Sequence, residues 1–246
     1  MPNGAVPAGP FDTGYSNMSS GEFRSKAAQS VIGRPFRSSL DTRALDNIQS
    51  GTMKMVYRNV PFFKNPFDIS LYMLLLSRLA PRTVIEIGSK FGGSALWFAD
   101  MLTAQGVPEA RVVSVDIKPL AEFSDPRILF LTGDAKNLGE VLTPELLKAC
   151  PRPWLVIEDS SHYYAESFAT LDFFHAHLQA GDYIVVEDGI VSQLSHKQYR
   201  QYEDGPNRAV ADFLASHGAE YQIDTELCDC FGHNVTYNPN GWLKRV

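Results

Sequence analysis

The sequence predicts an α/β domain in which a mostly parallel, seven-stranded sheet carries helices on both faces. Short apolar runs alternate with helical patterns over residues 64–217, which is the order of strand–helix–strand units in a parallel sheet. Most of these runs end in a carboxylate or a glycine. Two further apolar runs come late in the chain, and we expect them to form an antiparallel edge.

The strands are predicted where a short apolar run stops at a polar residue or a glycine. Thr83–Ile87 stops at Gly88, and Val112–Asp116 ends in an acid. The remaining strands are predicted at Ile128–Leu131, Leu155–Ile157 continuing into Glu158 and Asp159, Tyr183–Val186, Tyr221–Asp224 and His233–Tyr237.

The helices are predicted where apolar residues recur at helical spacing. In Lys64–Ala80, a turn containing proline precedes a stripe formed by Leu71, Leu74, Leu75 and Leu79. The other predicted helices are Gly92–Ala104, Glu145–Ala149, Ala165–Leu178 and Arg208–His217.

The N-terminal segment differs in composition from the rest of the chain. Residues 1–20 are rich in Gly, Pro, Ser and Asn, and residues 21–50 show a mixed pattern with room for short helices. Such composition is typical of mobile segments. We therefore predict a partly flexible extension at residues 1–50 and one domain at residues 51–246.

Composition limits the expected partners. A net charge of −6 without a basic stripe disfavours nucleic acid. The apolar stretch Ile69–Ala80 is too short to cross a bilayer, so no membrane partner is expected. The three cysteines, Cys150, Cys228 and Cys230, and an N-terminus unlike a signal peptide predict reduced thiols and a cytoplasmic protein.

A glycine-rich turn follows the first predicted strand, in the stretch Glu86–Ser94. Its glycines allow a tight turn and close approach of a ligand, while the free N–H groups of the next helix favour an anionic group. Because the spacing is not G-x-G-x-x-G, a dinucleotide cofactor is disfavoured. A turn that only tightens the packing of strand and helix remains the structural alternative.

Acids at the next two strand ends extend this pattern. A carboxylate at Asp116 can accept hydrogen bonds from both ribose hydroxyls of an adenosine ligand. Asp134, in the Gly-Asp pair after the third strand, can accept from an adenine amino group. The alternative for Asp116 is a helix N-cap. A glycine-rich turn followed by two such acids resembles the class I S-adenosylmethionine methyltransferases.

Paired acids end the fourth and fifth predicted strands, at Glu158–Asp159 and Glu187–Asp188. Such charges need compensation, and a hard divalent cation such as Mg²⁺ provides it through oxygen ligands. His162, close after Asp159, is suited to take a proton near neutral pH. The alternatives are helix N-caps for the acids and an ordinary loop position for His162.

Longer motifs resemble one particular family, the cephalosporin hydroxylase and rhamnosyl O-methyltransferase group, over residues 60–246. The EDSSH and GDYIVVEDG motifs are the most specific. The matching stretches are Lys64–Asp68, Thr83–Leu102, Glu158–His162, Gly181–Gly189 and Pro239–Val246.

This resemblance implies a Rossmann-like class I methyltransferase fold, S-adenosylmethionine as cosubstrate, and Mg²⁺. The implied roles are general base for His162 and metal ligand for Asp159, Glu187 and Asp188, with Asp159 also counted as catalytic. The implied cofactor-binding residues are Glu86, Gly88, Ser89, Ser94, Asp116, Asp134 and Ala135.

The resemblance further implies O-methylation of a small-molecule natural product, on a sugar or glycoside carrying adjacent hydroxyls, by a homo-oligomer of an antibiotic pathway. Three alternatives stay open: methylation of a catechol or phenol, an iron-dependent oxygenase, and a non-catalytic partner protein. An oxygenase site would need two histidines and a carboxylate. Substrate choice is expected to depend on residues 1–50 and on the loop Val191–Pro206.

Overall fold

The fold is given by a computed structural model that describes residues 33–246. The part of the predicted extension at residues 1–32 lies outside the described residues. The strands are β1 Val56–Tyr57, β2 Val60–Pro61, β3 Thr83–Ile87, β4 Arg111–Asp116, β5 Ile128–Thr132, β6 Trp154–Glu158, β7 Tyr183–Val186, β8 Tyr221–Ile223 and β9 Trp242–Arg245.

The helices lie close to the predicted ones, with an additional helix before the first strands. None in the described part of the chain has the length and apolarity needed to span a bilayer. The α-helices are α1 Thr42–Thr52, α2 Pro66–Leu79, α3 Gly93–Ala104, α4 Pro144–Ala149, α5 Tyr164–His175, α6 Gly205–His217 and α7 Thr225–Cys228; the 3-10 helices are Ala135–Glu140, Gly189–Gln193 and Lys197–Tyr202.

The main sheet has seven strands in the order β5-β4-β3-β6-β7-β9-β8. Strands β3 to β7 pair in parallel, whereas β9 runs antiparallel to both β7 and β8. The predicted α/β fold and its antiparallel edge are confirmed. The strand order reverses between β3 and β6, and a ligand crevice is expected beyond the carboxyl ends of the strands there.

Both faces of the sheet are covered by helices. Val84 on β3 packs in an apolar cluster with Leu71 of α2 and Phe98 of α3. Ile85, the next residue, faces the other side and packs with residues of α5 and α6. Because the parallel strands are buried on both faces, they read as continuous apolar runs rather than as alternating patterns.

One predicted strand, His233–Tyr237, is wrong. These residues form turns, and the strand that pairs with β7 and β8 is β9, which the sequence analysis did not predict. The turns are buried because side chains replace a strand partner: Asn240 donates its backbone N–H to Asn234 Oδ1 at 3.1 Å. Asn234 Nδ2 in turn donates to the carbonyl of Pro35 at 2.9 Å.

An ion-pair network ties α3 to the start of β5. The guanidinium of Arg127 bonds both carboxylate oxygens of Asp125, at 2.9 and 2.6 Å, and Asp100 of α3 at 2.7 Å. The hydrogen bonds from Arg127 lower the pKa of Asp125 to about 2. A pKa below the ordinary value of 3.8 means that the ionised form stabilises the fold.

We predict that Asp125→Asn lowers the free energy of unfolding at pH 7 by roughly 1–2 kcal/mol, after a discount for solvent screening. The difference from wild type should persist above pH 4 and shrink as the pH falls from 4 towards 2, because Asp125 then becomes protonated in both states. Urea unfolding at each pH measures it. Glu122→Gln, at an exposed acid nearby, is the control and should show little change; a pH-independent difference would contradict the ion-pair account.

Candidate active site

The carboxyl ends of the central strands border one open cleft of about 540 Å³. The cleft is lined at its base by Gly88, Asp116 and Asp159, which follow or end three different strands. A smaller cavity of about 180 Å³ adjoins it and shares Gly88 and Asp116 as lining residues. The position at the reversal of strand order is the one expected for a ligand site in this architecture.

Gly88 allows the loop after β3 to pass against the loop after β6. Its φ is +100°, in the left-handed region, and an added Cβ would overlap the carbonyl oxygen of Asp159. The N–H of Asp159 donates to the carbonyl of Ile87 at 2.8 Å, which fixes the two loops together. Gly88 therefore sets the spacing between the glycine-rich turn and the acidic loop.

Asp116 is held at the end of β4 by two backbone donors. Its oxygens accept from the N–H groups of Lys90 and Lys118, each at 2.7 Å. Asp134 accepts from the N–H of Lys136 at 2.9 Å and caps a 3-10 helix. Asp116 borders both cavities, and Asp134 and Ala135 line the smaller one.

Glu86 lies in the interior of β3, with 0% exposure. Burial raises the pKa of Glu86 to about 7, opposed by the nearby Lys64 ammonium. Among the described residues, neither carboxylate oxygen of Glu86 has a hydrogen-bond partner, and the same holds for Ser89 Oγ and Ser161 Oγ. Ser89 and Ser161 line the larger cleft, so it offers two unsatisfied hydroxyls to a ligand.

Lys64 joins two of the predicted acids. Its ammonium donates to Asp159 Oδ2 and to Glu187 Oε2, each at 2.6 Å, and the residue is only 4% exposed. Tyr72 donates to the other oxygen of Glu187 at 2.5 Å. Burial raises the pKa of Glu187 to about 7, and the Lys64 charge opposes this shift. Glu187 is thus turned away from the cleft and towards α2.

Asp188 points the opposite way, into the cleft beside His162. The two side chains approach to 3.5 Å, between His162 Nε2 and Asp188 Oδ2. Donor atoms of Asp159, His162 and Asp188 all lie within 4.8 Å of one another. Burial raises the pKa of both Asp159 and Asp188, with Lys64 and His162, respectively, opposing it.

Left-handed backbone conformations produce this convergence. His162 has a φ of +61° and Asp188 a φ of +59°, which non-glycine residues rarely adopt. At Asp188 the left-handed turn ends β7, so that its side chain and that of Glu187 diverge. Strained residues of this kind concentrate at functional sites, where the surrounding structure holds them in place.

The structure therefore brings Asp159, Asp188 and His162 together and connects Glu187 to them through Lys64. Sequence reasoning did not assign a role to Lys64 or Tyr72. The only signal for Lys64 was the Lys64–Asp68 stretch among the family-like motifs, and Tyr72 had none. An isolated lysine or tyrosine before or in a helix carries no spacing information.

One wall of the cleft is rich in aromatic rings. Tyr163, Tyr199 and Tyr202 line it, with Gln49 and Thr52 contributed by α1. Tyr202 and His162 pack edge to face, with ring centroids 5.2 Å apart. Residues of α1 and of the two 3-10 helices after β7 thus form the wall opposite the glycine-rich turn.

The parallel sheet, its antiparallel edge and the cleft at the reversal point define a class I methyltransferase fold. The chain belongs to the rhamnosyl O-methyltransferase/CmcI family, whose family model matches residues 49–246.

Individual relatives agree with this assignment. The chain is 31% identical to a rhamnosyl O-methyltransferase of Mycobacterium bovis (strain BCG / Pasteur 1173P2) over 198 residues, 78% of each chain. It is 32% identical to a rhamnosyl O-methyltransferase of Mycobacterium leprae (strain TN) over 196 residues, covering 77% of this chain and 82% of the relative.

Two solved structures of CmcI share the fold. One, described with Mg and SAM, has a TM-score of 0.61 at 23% identity and covers 79% of this chain and 77% of that one. Another, described with SAH, has a TM-score of 0.61 at 19% identity and covers 94% of this chain and 97% of that one. At these identities the likeness establishes the fold alone.

We predict that Gly88→Ala destabilises the protein by about 1–3 kcal/mol more than Gly181→Ala. Both positions have similar left-handed φ angles, +100° and +94°, but an added Cβ meets no atom within 4 Å at Gly181. The two variants should therefore differ in the free energy of unfolding, measured with urea, by the cost of the overlap with the loop after β6 that contains Asp159. Equal destabilisation of the two variants would show that the loops separate without cost.

We predict that Lys64→Met lowers the free energy of unfolding by about 3–5 kcal/mol at pH 7.5, because two buried carboxylates lose their counter-charge. Chemical denaturation measures the change. Lys54→Met, which removes the same side chain from an exposed position, is the matched control and should be close to wild type. A Lys64→Met variant as stable as this control would mean that Lys64 does not compensate the acids.

Proposed function

We propose that this protein transfers the methyl group of S-adenosylmethionine to a hydroxyl of a sugar in a small-molecule natural product, with the aid of Mg²⁺. The observation that carries the proposal is the convergence of Asp159, Asp188 and His162 in the cleft, next to the Gly88 turn. Membership of a family with curated rhamnosyl O-methyltransferases supports the reaction class.

The cofactor side of the cleft fits S-adenosylmethionine. We propose that Asp116 accepts from the ribose hydroxyls, since its carboxylate borders both cavities and is held by backbone donors. The smaller cavity, with Asp134 and Ala135, suits an adenine ring. Ser89 and Ser94 border the larger cleft, where a methionine moiety would lie beside the Gly88 turn. Glu86, whose two oxygens lack partners, is the buried acid nearest this turn in sequence.

The donor set suits a hard divalent cation. Carboxylates of Asp159 and Asp188 meet within 4.8 Å, and oxygen ligands of this kind favour Mg²⁺. Glu187 is the third proposed ligand, and Lys64 and Tyr72 hold both its oxygens in this structure. Each of these oxygens accepts one hydrogen bond and retains a second lone pair for an ion.

S-adenosylmethionine supplies the methyl group, and Mg²⁺ supplies positive charge that lowers the pKa of a bound hydroxyl. We assign His162 to take the proton of the acceptor hydroxyl on Nε2. Asp188 Oδ2, 3.5 Å from that nitrogen, then faces the imidazolium that forms. We assign His162 to the proton rather than to the metal because Mg²⁺ prefers oxygen ligands.

We place the acceptor against the wall of the cleft that carries Tyr163, Tyr199 and Tyr202. Its tyrosines offer flat apolar faces together with hydroxyls, a combination that fits a sugar carrying adjacent hydroxyls. Gln49 and Thr52 of α1 and the segment 190–202 border this space. This placement supports the expectation that the N-terminal region and the loop after β7 select the substrate.

The same donor set favours methyl transfer over an iron-dependent oxygenase. Oxygenases of the facial-triad type use two histidines and one carboxylate. At the cleft, the cluster found among residues 33–246 contains one histidine and two carboxylates.

We predict that Asp159→Asn lowers kcat for methyl transfer by at least about 100-fold, while the Kd for S-adenosylhomocysteine changes less than threefold. Asp116→Asn should instead raise the Kd for S-adenosylhomocysteine at least tenfold and affect kcat less, because one carboxylate oxygen that accepts from the ribose hydroxyls is lost. Calorimetry gives the Kd, and methyl transfer to a panel of rhamnosides and other glycosides with Mg²⁺ gives kcat.

Asp172→Asn, which removes a carboxylate from an exposed position on α5, is the control and should match wild type in both assays. Near-normal turnover by Asp159→Asn would overturn the metal assignment. Failure of the wild-type chain to bind S-adenosylhomocysteine would overturn the cofactor assignment.

A further inference from the structure

A second cluster of metal-ligating side chains lies at the edge of the sheet opposite the cleft. His175 is the last residue of α5, His217 is the last residue of α6, and Glu220 precedes β8. Donor atoms of these three residues lie within 4.8 Å of one another, and all three are half-buried or near the surface. The proposed reaction uses none of them. We call them the His–Glu cluster.

The separations are close to those of a tetrahedral zinc site. Glu220 Oε1 lies 3.8 Å from His175 Nε2 and 3.6 Å from His217 Nδ1. Two ligands about 2.0–2.1 Å from one tetrahedral ion are about 3.4 Å apart. Glu220 would therefore need to approach each histidine by only a few tenths of an ångström. The two imidazole rings pack with their centroids 3.8 Å apart, so they would have to tilt apart for both nitrogens to face one ion. The half-exposed position leaves a fourth place for water.

Neighbouring groups orient two of these donors. Tyr221 Oη lies 3.4 Å from Nδ1 of His175, so that the other ring nitrogen, Nε2, faces Glu220. Arg245 bonds Oε2 of Glu220 at 2.5 Å and leaves Oε1 for the histidines. Metal-binding histidines and carboxylates commonly have such an outer partner, which fixes the ring and the carboxylate in place.

Neighbouring groups both favour and oppose a cation at the His–Glu cluster. The C-terminal ends of α5 and α6 meet at the cluster, and the negative end of a helix dipole favours a cation. The Arg245 guanidinium opposes a cation, although its bond to Glu220 partly offsets its charge.

We propose that the His–Glu cluster binds a divalent transition-metal ion, for which Zn²⁺ fits best, through His175 Nε2, His217 Nδ1 and Glu220 Oε1. Two imidazoles and one carboxylate suit Zn²⁺ and make a poor site for Mg²⁺. A bound ion joins the ends of α5 and α6 to the start of β8. The site is independent of the proposed methyl transfer.

Titration calorimetry with ZnCl₂ tests the proposal on the full-length, untagged chain after EDTA treatment and removal of the chelator. A Cys230→Ser background removes the one exposed thiol of the described residues. His217→Gln and Glu220→Gln each remove one proposed ligand. His196→Gln is the control at an exposed histidine, and His162→Gln removes the histidine of the cleft.

The expected result is a Zn²⁺ site whose Kd rises at least tenfold in both His217→Gln and Glu220→Gln and stays within threefold of the background protein in His196→Gln. The same site should persist in His162→Gln, which separates it from the cleft. A Kd within threefold in Glu220→Gln, whose side chain is 42% exposed and tolerant of substitution, would overturn the proposal even if His217→Gln failed to fold. Loss of all Zn²⁺ binding in His162→Gln would overturn it as well.

Discussion

The compensation of buried negative charge at the carboxyl edge of the sheet constrains much of this structure. Glu86, Asp159, Glu187 and Asp188 gather there, and Lys64 is the buried cation that bonds two of them. Unpaired, such charges cost several kcal/mol each. Lys64 lies just before α2, and Tyr72 of α2 donates to Glu187. The first turns of α2 must therefore pack directly over the acidic strand ends.

The start of α2 also determines how the C-terminal segment runs. Asn65 caps the helix by accepting from the N–H groups of Phe67 and Asp68. The buried carboxylate of Asp68 then accepts from Thr236 Oγ1 at 2.5 Å and from the N–H of Tyr237 at 3.1 Å. These bonds satisfy the polar groups of a loop that has no strand partner. The segment after α7 consequently crosses the buried end of α2 as turns before β9 joins the sheet.

The sequence was most informative where structure is local. Thr83–Ile87 was predicted with its observed bounds, because a strand buried on both faces is a continuous apolar run. His233–Tyr237 places Val235 and Tyr237 at the spacing of a strand, yet its burial comes from hydrogen bonds of asparagine side chains and from contacts with Asp68, 169 residues away from Tyr237. The acids of the cleft were predicted from the sequence because the carboxyl ends of parallel strands meet at one edge of the sheet. Lys64 was not, since its contacts with Asp159 span 95 residues. The left-handed backbone conformation of Asp188 is likewise something that the sequence does not reveal.

The topology also explains why two clusters of ligating groups occur at opposite edges of the sheet. Strands β3 to β7 run in parallel, so their acidic ends share one edge, and the left-handed turns at His162 and Asp188 aim side chains into the cleft. Helices α5 and α6 each begin near that edge, where Gly205 packs against the carbonyl of His162, and they end at the other. Their last residues are both histidines, whose rings pack together, and Glu220 lies beside them just before β8. Helix ends that favour a cation thus lie at the edge opposite the acidic strand ends that border the cleft.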